Sequence, residues 1–146
     1  MEIKIEIDEV CTESEVTIRT SCMTEEIHEL IQRLSSAKQN LLAGFLDDMV
    51  YLLDPKDIVR FYALEQKVFA ETLDGEFVIR LRLYELEGRL DQKLFLRISN
   101  SEIVNLKHIA KLDLSFSGTI CMTLTNGENV FASRRNVTHI KRVLGI

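Results

Sequence analysis

From Gly44 onward, turn signals recur too closely for long helices to fit between them. Asp54-Pro55, Asp74-Gly75, Ser117-Gly118 and Asn126-Gly127 punctuate this part of the chain. Asn126-Gly127 is the strongest hairpin signal, because both residues tolerate positive φ. Between the turns lie short apolar runs: "GFLDDMVYLL", "DIVRFYALEQKVFAETL", "EFVIRLRL", "KLFLRI", "IAKLDLSF", "TICMTLT" and "ENVFAS". The second of these is interrupted near Glu65–Lys67 and reads as two strands. Parallel neighbours need a long crossover, usually a helix, and this spacing leaves no room for one. The predicted fold class is therefore mainly β (α+β), with a mostly antiparallel sheet and short helices.

Two helices fit inside that pattern. "LYELEGRL" turns Leu83, Leu86 and Leu90 inward. The last segment, "SRRNVTHIKRVLG", has Ser133 as a candidate N-cap and Val137, Ile140 and Leu144 as an inward stripe. Gly145 supplies its C-terminal cap. The outer face carries Arg135, His139 and Arg142. Arg134 and Arg135 fall in the first turn, where the helix dipole disfavours positive charge by up to about 1 kcal/mol. The fold does not ask for arginines there, whereas an anionic partner would.

The first 43 residues have a different texture. Ile3, Ile5 and Ile7 alternate with Glu2, Lys4, Glu6 and Asp8, which predicts a half-buried strand. A second short strand is expected at Val16–Arg19. Thr24 then caps a helix with Glu25 and Glu26 in its first turn and Ile27, Leu30, Ile31 and Leu34 on one face. His28 lies beside that face and reads as a surface residue. Gln39 and Asn40 read as a connector. The expected organisation is a strand-helix extension over 1–43, serving dimerisation or regulation, followed by a domain over 44–146.

Charge follows the same division. The chain carries a net −5, yet residues 1–50 hold 4 Lys/Arg against 11 Asp/Glu, and residues 97–146 hold 7 against 3. Such asymmetry hints at a partner for the basic end. Apolar residues make up 46% of the chain, enough for a core. The uncharged apolar runs fall short of a membrane span. The N-terminus lacks the basic and apolar regions of a secretory signal, so a cytoplasmic protein is expected. Cys11, Cys22 and Cys121 read as reduced, mostly buried thiols, and the dispersed His28, His108 and His139 form no metal motif. No cofactor or metal is expected.

Catalytic signatures are missing: there is no GxSxG, glycine-rich phosphate loop or HExxH. Cys121 could be paired with His139 or His108 as nucleophile and base, but a buried strand thiol is the simpler reading, so no enzyme is expected. Three polar segments interrupt the apolar runs: Glu65-Gln66-Lys67, Ser99-Asn100-Ser101 and Ser133–Asn136. Lys and Arg hold phosphates, and Asn, Gln and Arg can make bidentate contacts with bases. Ser99 and Asn100 could equally satisfy backbone groups at a strand end. The residues alone leave both readings open.

"FLRISNSEIVNLKHI" followed by "VFASRRNVTHIKRVL" resembles the LytTR DNA-binding domain. The likeness is carried by Phe95, Arg97, Ser101, Val104-Asn105 and Ile109, then by Ser133-Arg134, and "LRLYELEGRL" is similar to the family's short helix. It covers residues 44–146. The chain departs from the family at Ser99, where many members have His. The resemblance implies a β-rich domain whose loops and last-helix start enter successive major grooves of double-stranded DNA. Lys67, Asn100 and Arg135 are the implied groove contacts. Ser101, Arg97 and Arg134 would support them, Ser99 and His139 complete the DNA-facing set, and Asn105 would order the loop. Many relatives carry a receiver domain for which the first 43 residues leave no room, so a stand-alone transcriptional regulator is expected. A small reading surface needs two sites for useful specificity, so a homodimer on paired half-sites is expected. An integral membrane protein that restrains it is a further implied partner. The alternative is a cytoplasmic protein-interaction module that docks a membrane partner and has no DNA role.

Overall fold

The computed structural model describes residues 1–36 and 41–146. The chain divides into two units, Met1–Ala37 and Lys38–Ile146. In the first, the only regular element among the described residues is helix α1, Glu25–Ser36. Thr24 caps it as expected, its Oγ1 accepting from the Ile27 N–H at 3.3 Å. Ile27 is buried, Leu30 and Ile31 are half-buried, and Leu34 is exposed. The strands expected at Ile3–Ile7 and Val16–Arg19 do not form. Ile3, Ile5 and Ile7 are 82%, 83% and 91% exposed. Alternation encodes a strand only when a neighbour takes up its backbone hydrogen bonds, and among the described residues none pairs with this segment. The connector at Gln39 and Asn40 lies outside the described residues.

The second unit contains two antiparallel sheets. The larger runs β2-β1-β5-β4-β3-β7-β6 and the smaller β10-β9-β8. Strand β1 (Leu42–Leu46) begins two residues before the expected boundary at Gly44. It turns into β2 (Met49–Leu53) through Asp47, at φ 52°, so the run "GFLDDMVYLL" is a hairpin rather than one strand. Asp54 then caps a 3-10 turn over Pro55–Asp57. Next come β3 (Ile58–Leu64), β4 (Lys67–Thr72) and β5 (Gly75–Ile79), joined by tight hairpins. Helix α2 (Leu83–Arg89) follows, and β6 (Phe95–Arg97) and β7 (Glu102–Asn105) complete the large sheet. The small sheet is β8 (Ile109–Asp113), β9 (Cys121–Leu124) and β10 (Asn129–Phe131). A 3-10 turn over Arg134–Asn136 leads into helix α3, Val137–Leu144. Gly145 ends it at φ 72°, the left-handed conformation that the predicted cap requires.

Two hydrophobic cores lie on opposite faces of the β3-β7-β6 end of the large sheet. Ile58, Phe61, Ile103 and Phe95 face one core, closed by Leu83, Leu86 and Leu90 of α2. Val59, Val104, Leu96 and Ile98 face the other, closed by the small sheet and by Ile140 of α3. Neighbouring residues of one strand point to opposite faces, so each of these strands feeds both cores. A register shift between Ile58 and Arg60 in β3 puts an extra residue into that pattern. Val59 can therefore enter the second core while Arg60, on the same side of the sheet, meets Glu71 and Glu102.

Arg60 is the centre of a half-buried ionic cluster. Its Nε lies 2.5 Å from Glu71 Oε2 and its Nη1 3.1 Å from Glu102 Oε2. Asn126, at the tip of the small sheet's hairpin, donates to Glu71 Oε1 and so ties the two sheets together. Burial works against the Arg60 charge, but hydrogen bonds and attraction from Glu71 and then Glu102 outweigh it and hold its pKa above the usual value. Burial pushes the Glu102 carboxyl up, and Arg60 offsets this only in part. A carboxyl with a raised folded pKa favours the fold while protonated, and that contribution is lost as pH rises through its titration. The stability of the wild type relative to Glu102→Gln should therefore fall between acid and neutral pH. Urea unfolding of both proteins across that range checks the sign.

Asn105 is fully buried. Its Nδ2 donates to the Ile58 carbonyl at 2.9 Å, and its Oδ1 accepts from the Lys107 N–H at 3.0 Å. It thereby caps the 3-10 turn at Leu106–His108 and fastens it to β3. Asn105→Ala leaves both partners unsatisfied and should cost about 2–4 kcal/mol in denaturant unfolding. Asn105→Asp, which loses the donor and sets a carboxylate against a carbonyl, should be at least as damaging.

Candidate nucleic-acid interface

Three hydrogen bonds gather the polar segments at one end of the large sheet. The Ala63 N–H donates to the Ser101 carbonyl at 2.8 Å, which sets the β3–β4 hairpin beside the β6–β7 loop. The Ser133 N–H donates to the Ile98 carbonyl at 2.8 Å, which brings in the start of the last helical segment. Arg135 Nη2 then donates to Asn100 Oδ1 at 2.5 Å. Sequence-distant segments are thus joined by direct contacts, two between backbones and one between side chains. The amide of Asn100 keeps its Nδ2 donors, and the guanidinium of Arg135 keeps several N–H groups, for a further acceptor.

The β6–β7 loop is organised by Arg97. Its Nε donates to the Ser99 carbonyl at 2.6 Å and its Nη2 to the Asn100 carbonyl at 2.7 Å. Its Nη1 reaches Glu87 Oε2 on α2 at 2.9 Å. The planar guanidinium presents these donors in a fixed fork, so one side chain fixes two consecutive carbonyls. Ser99 Oγ accepts from the Ser101 N–H at 3.2 Å and lies 3.3 Å from Ser101 Oγ, closing the turn locally. Asn100 and Ser101 are exposed and Ser99 is half-buried. Backbone satisfaction and outward display, the two readings open for this stretch, here divide between different atoms of the same residues.

Lys67 opens β4, immediately after Glu65 and Gln66 at φ 50° and 65°. A two-residue turn with both positions left-handed normally carries glycine or asparagine, and here it is built without either. The Lys67 side chain is exposed and makes no hydrogen bond or ion pair with any described residue. Arg134 is likewise unpaired and exposed, and it lies over Gly118. His139 makes no hydrogen bond to Asn100 or Arg135: Arg142 Nη2 lies 3.0 Å from its Nδ1, and with Glu87 and Arg97 it lines a cleft of about 320 Å³. Its partner is thus one of the residues with which it was expected to share an outer face.

Ser133 departs from its expected role. It sits at the N-cap position, but its side chain makes no capping hydrogen bond. Its Oγ is buried without a partner. The segment instead enters through the 3-10 turn, and α3 starts three residues later. Glu87 was not singled out from sequence, because its partner lies ten positions away across a helix and a strand. The candidate nucleophile is equally unsupported. Cys121 is buried, whereas Cys11 and Cys22, expected to be mostly buried, are exposed. His108 is occupied by Thr125 Oγ1 at 2.9 Å and the Lys56 carbonyl at 3.2 Å.

Known proteins share this fold and sequence. The LytTr DNA-binding domain family matches residues 48–145. A solved LytTr DNA-binding domain from Bacillus cereus superposes with a TM-score of 0.71 at 22% identity, covering 73% of this chain and 97% of that one. Uncharacterized HTH-type transcriptional regulators of Staphylococcus aureus strains MSSA476 and NCTC 8325 are each 35% identical to it, over 100% of this chain and 99% of theirs. The chain belongs to the LytTr DNA-binding domain family, which is not a class of enzymes. Among the described residues no α-helix is followed directly by a second one, so the candidate surface is built of loops and a helix start.

Because its hydroxyl is buried and unpartnered, Ser133→Ala should leave stability unchanged or slightly raised. A capping serine would instead lose about 1 kcal/mol. Thermal unfolding of the two proteins distinguishes these outcomes.

Proposed function

We propose that this protein is a sequence-specific, DNA-binding transcriptional regulator of the cytoplasm. Lys67, Asn100 and Arg135 enter successive major grooves of double-stranded DNA, with Ser99, Ser101, Arg97, Arg134 and His139 in supporting positions. The observation that carries this reading is the Asn100–Arg135 hydrogen bond, which holds two base-reading side chain types together at an exposed sheet end. The unpaired Lys67 and Arg134 supply charge for phosphates nearby. A reading surface of this size gains useful specificity from two copies, so binding as a homodimer on repeated half-sites is part of the proposal. Residues 1–43 then serve dimerisation or regulation. No helix among the described residues is long and apolar enough to cross a membrane. Restraint by an integral membrane partner is a further part of the proposal.

Gel shifts with the DNA upstream of the protein's own gene, at two salt concentrations, test the proposal. Affinity should fall steeply with salt, with a log–log slope of about −0.9 for each phosphate contacted. Arg135→Ala and Asn100→Ala should each weaken specific binding by about 1–3 kcal/mol while leaving random DNA less affected. Equal losses on both DNAs would reduce the residue to a phosphate contact. A protein that shifts neither DNA at low salt would be an interaction module instead.

A further inference from the structure

We propose that Glu87 is a positioning residue for the loop that carries Asn100, acting through Arg97. The inference rests on the reading that Asn100 and Arg135 touch DNA. Arg97 fixes the loop by its Nε and Nη2 donors to the Ser99 and Asn100 carbonyls, and what fixes Arg97 is Glu87. Beside the pair lies the cleft of about 320 Å³, which Glu87 and Arg97 both line. The Glu87 carboxylate holds the Nη1 edge, which the two carbonyls leave free.

Glu87 has a firm base. Leu83, Leu86 and Leu90 pin α2 and its C-cap into the first core, with Leu86 fully buried. Glu85 Oε1 closes the first turn by accepting from the Arg82 N–H at 3.2 Å. The position of the Asn100 backbone is thereby referred, through Arg97 and the half-exposed Glu87, to a helix seated on a packed core. Its side chain is referred to the last helical segment through Arg135. Asn100 is held from two sides, and Glu87 controls one of them.

Charge makes the idea separable from simple electrostatics. A carboxylate near a DNA-binding surface repels phosphate, so removing it should tighten binding to any duplex if charge is all that matters. If Glu87 positions the loop, its removal frees Arg97 to swing toward phosphate, and discrimination falls even as non-specific binding holds or improves.

The test uses the full chain and two duplexes: one selected by the wild type from a random-sequence pool, and one of the same composition in shuffled order. Glu87→Gln should reduce the ratio of selected to shuffled affinity by about tenfold, as expected for one disturbed base contact. Affinity for the shuffled duplex should be unchanged or tighter, and the thermal midpoint unaltered. Without DNA, amide hydrogen exchange at Ser101, which donates to Ser99 Oγ, and at Ala63, which donates to the Ser101 carbonyl, should quicken several-fold. Arg97→Lys should reproduce the effect, and the double variant should add little to either single change, because both cut one linkage. An unchanged ratio together with unchanged exchange in Glu87→Gln overturns the proposal. A pool that yields no enriched sequence overturns the DNA reading instead, and the exchange measurement then decides alone whether Glu87 holds the loop.

Discussion

The structure depends on three short strands being buried on both faces. β3, β7 and β6 each send alternate residues into two separate cores, as the pairs Ile58/Val59, Ile103/Val104 and Phe95/Leu96 show. A slip of one residue in any of these pairings would exchange the residues assigned to the two cores. Register is therefore held from above and below at once. The loops at the end of these strands inherit that rigidity, because Ala63 and Ile98 bond directly to the segments that carry the candidate contacts.

Polar bonds extend the order outward from the cores. The bulge in β3 makes room for Arg60 among Glu71 and Glu102, and Asn126 carries that cluster across to the small sheet. Arg97 does the equivalent work at the sheet end, using carbonyl oxygens as acceptors and Glu87 as a brace. Side chains held this way lose less freedom on binding than free ones, which leaves more of the contact energy for affinity. The Lys67 and Arg134 side chains stay unpaired among the described residues, so bonded and unbonded cations occur on the same candidate segments.

Much of this was legible in the residues. Asn126-Gly127 and Asp74-Gly75 announce hairpins, and both form: Gly127 takes a positive φ of 88°, while Gly75 already opens β5. The inward leucines of α2 and the stripe of α3 follow from helical spacing. The β1–β2 turn was missed because Asp47-Asp48 lacks glycine, although Asp47 still takes a positive φ. The isoleucines of Ile3–Ile7 misled for the opposite reason: their pattern suits a strand, but a strand is a property of a pair. Ser133 has the right chemistry for a cap and the right position, yet the 3-10 entry leaves its hydroxyl unused.

By itself the sequence determined the antiparallel β class, the place of the last helix, and the three polar interruptions that mark the candidate surface. These depend on local chemistry: turn preferences, alternation and helical spacing act between near neighbours. Only the tertiary structure decided that the three interruptions meet at one end of the sheet, that Asn100 bonds to Arg135, and that Arg97 turns its donors toward backbone and Glu87. Those partners are brought together by strand register and by two cores closing on one sheet. Spacing along the chain does not encode which distant carbonyl a guanidinium will meet.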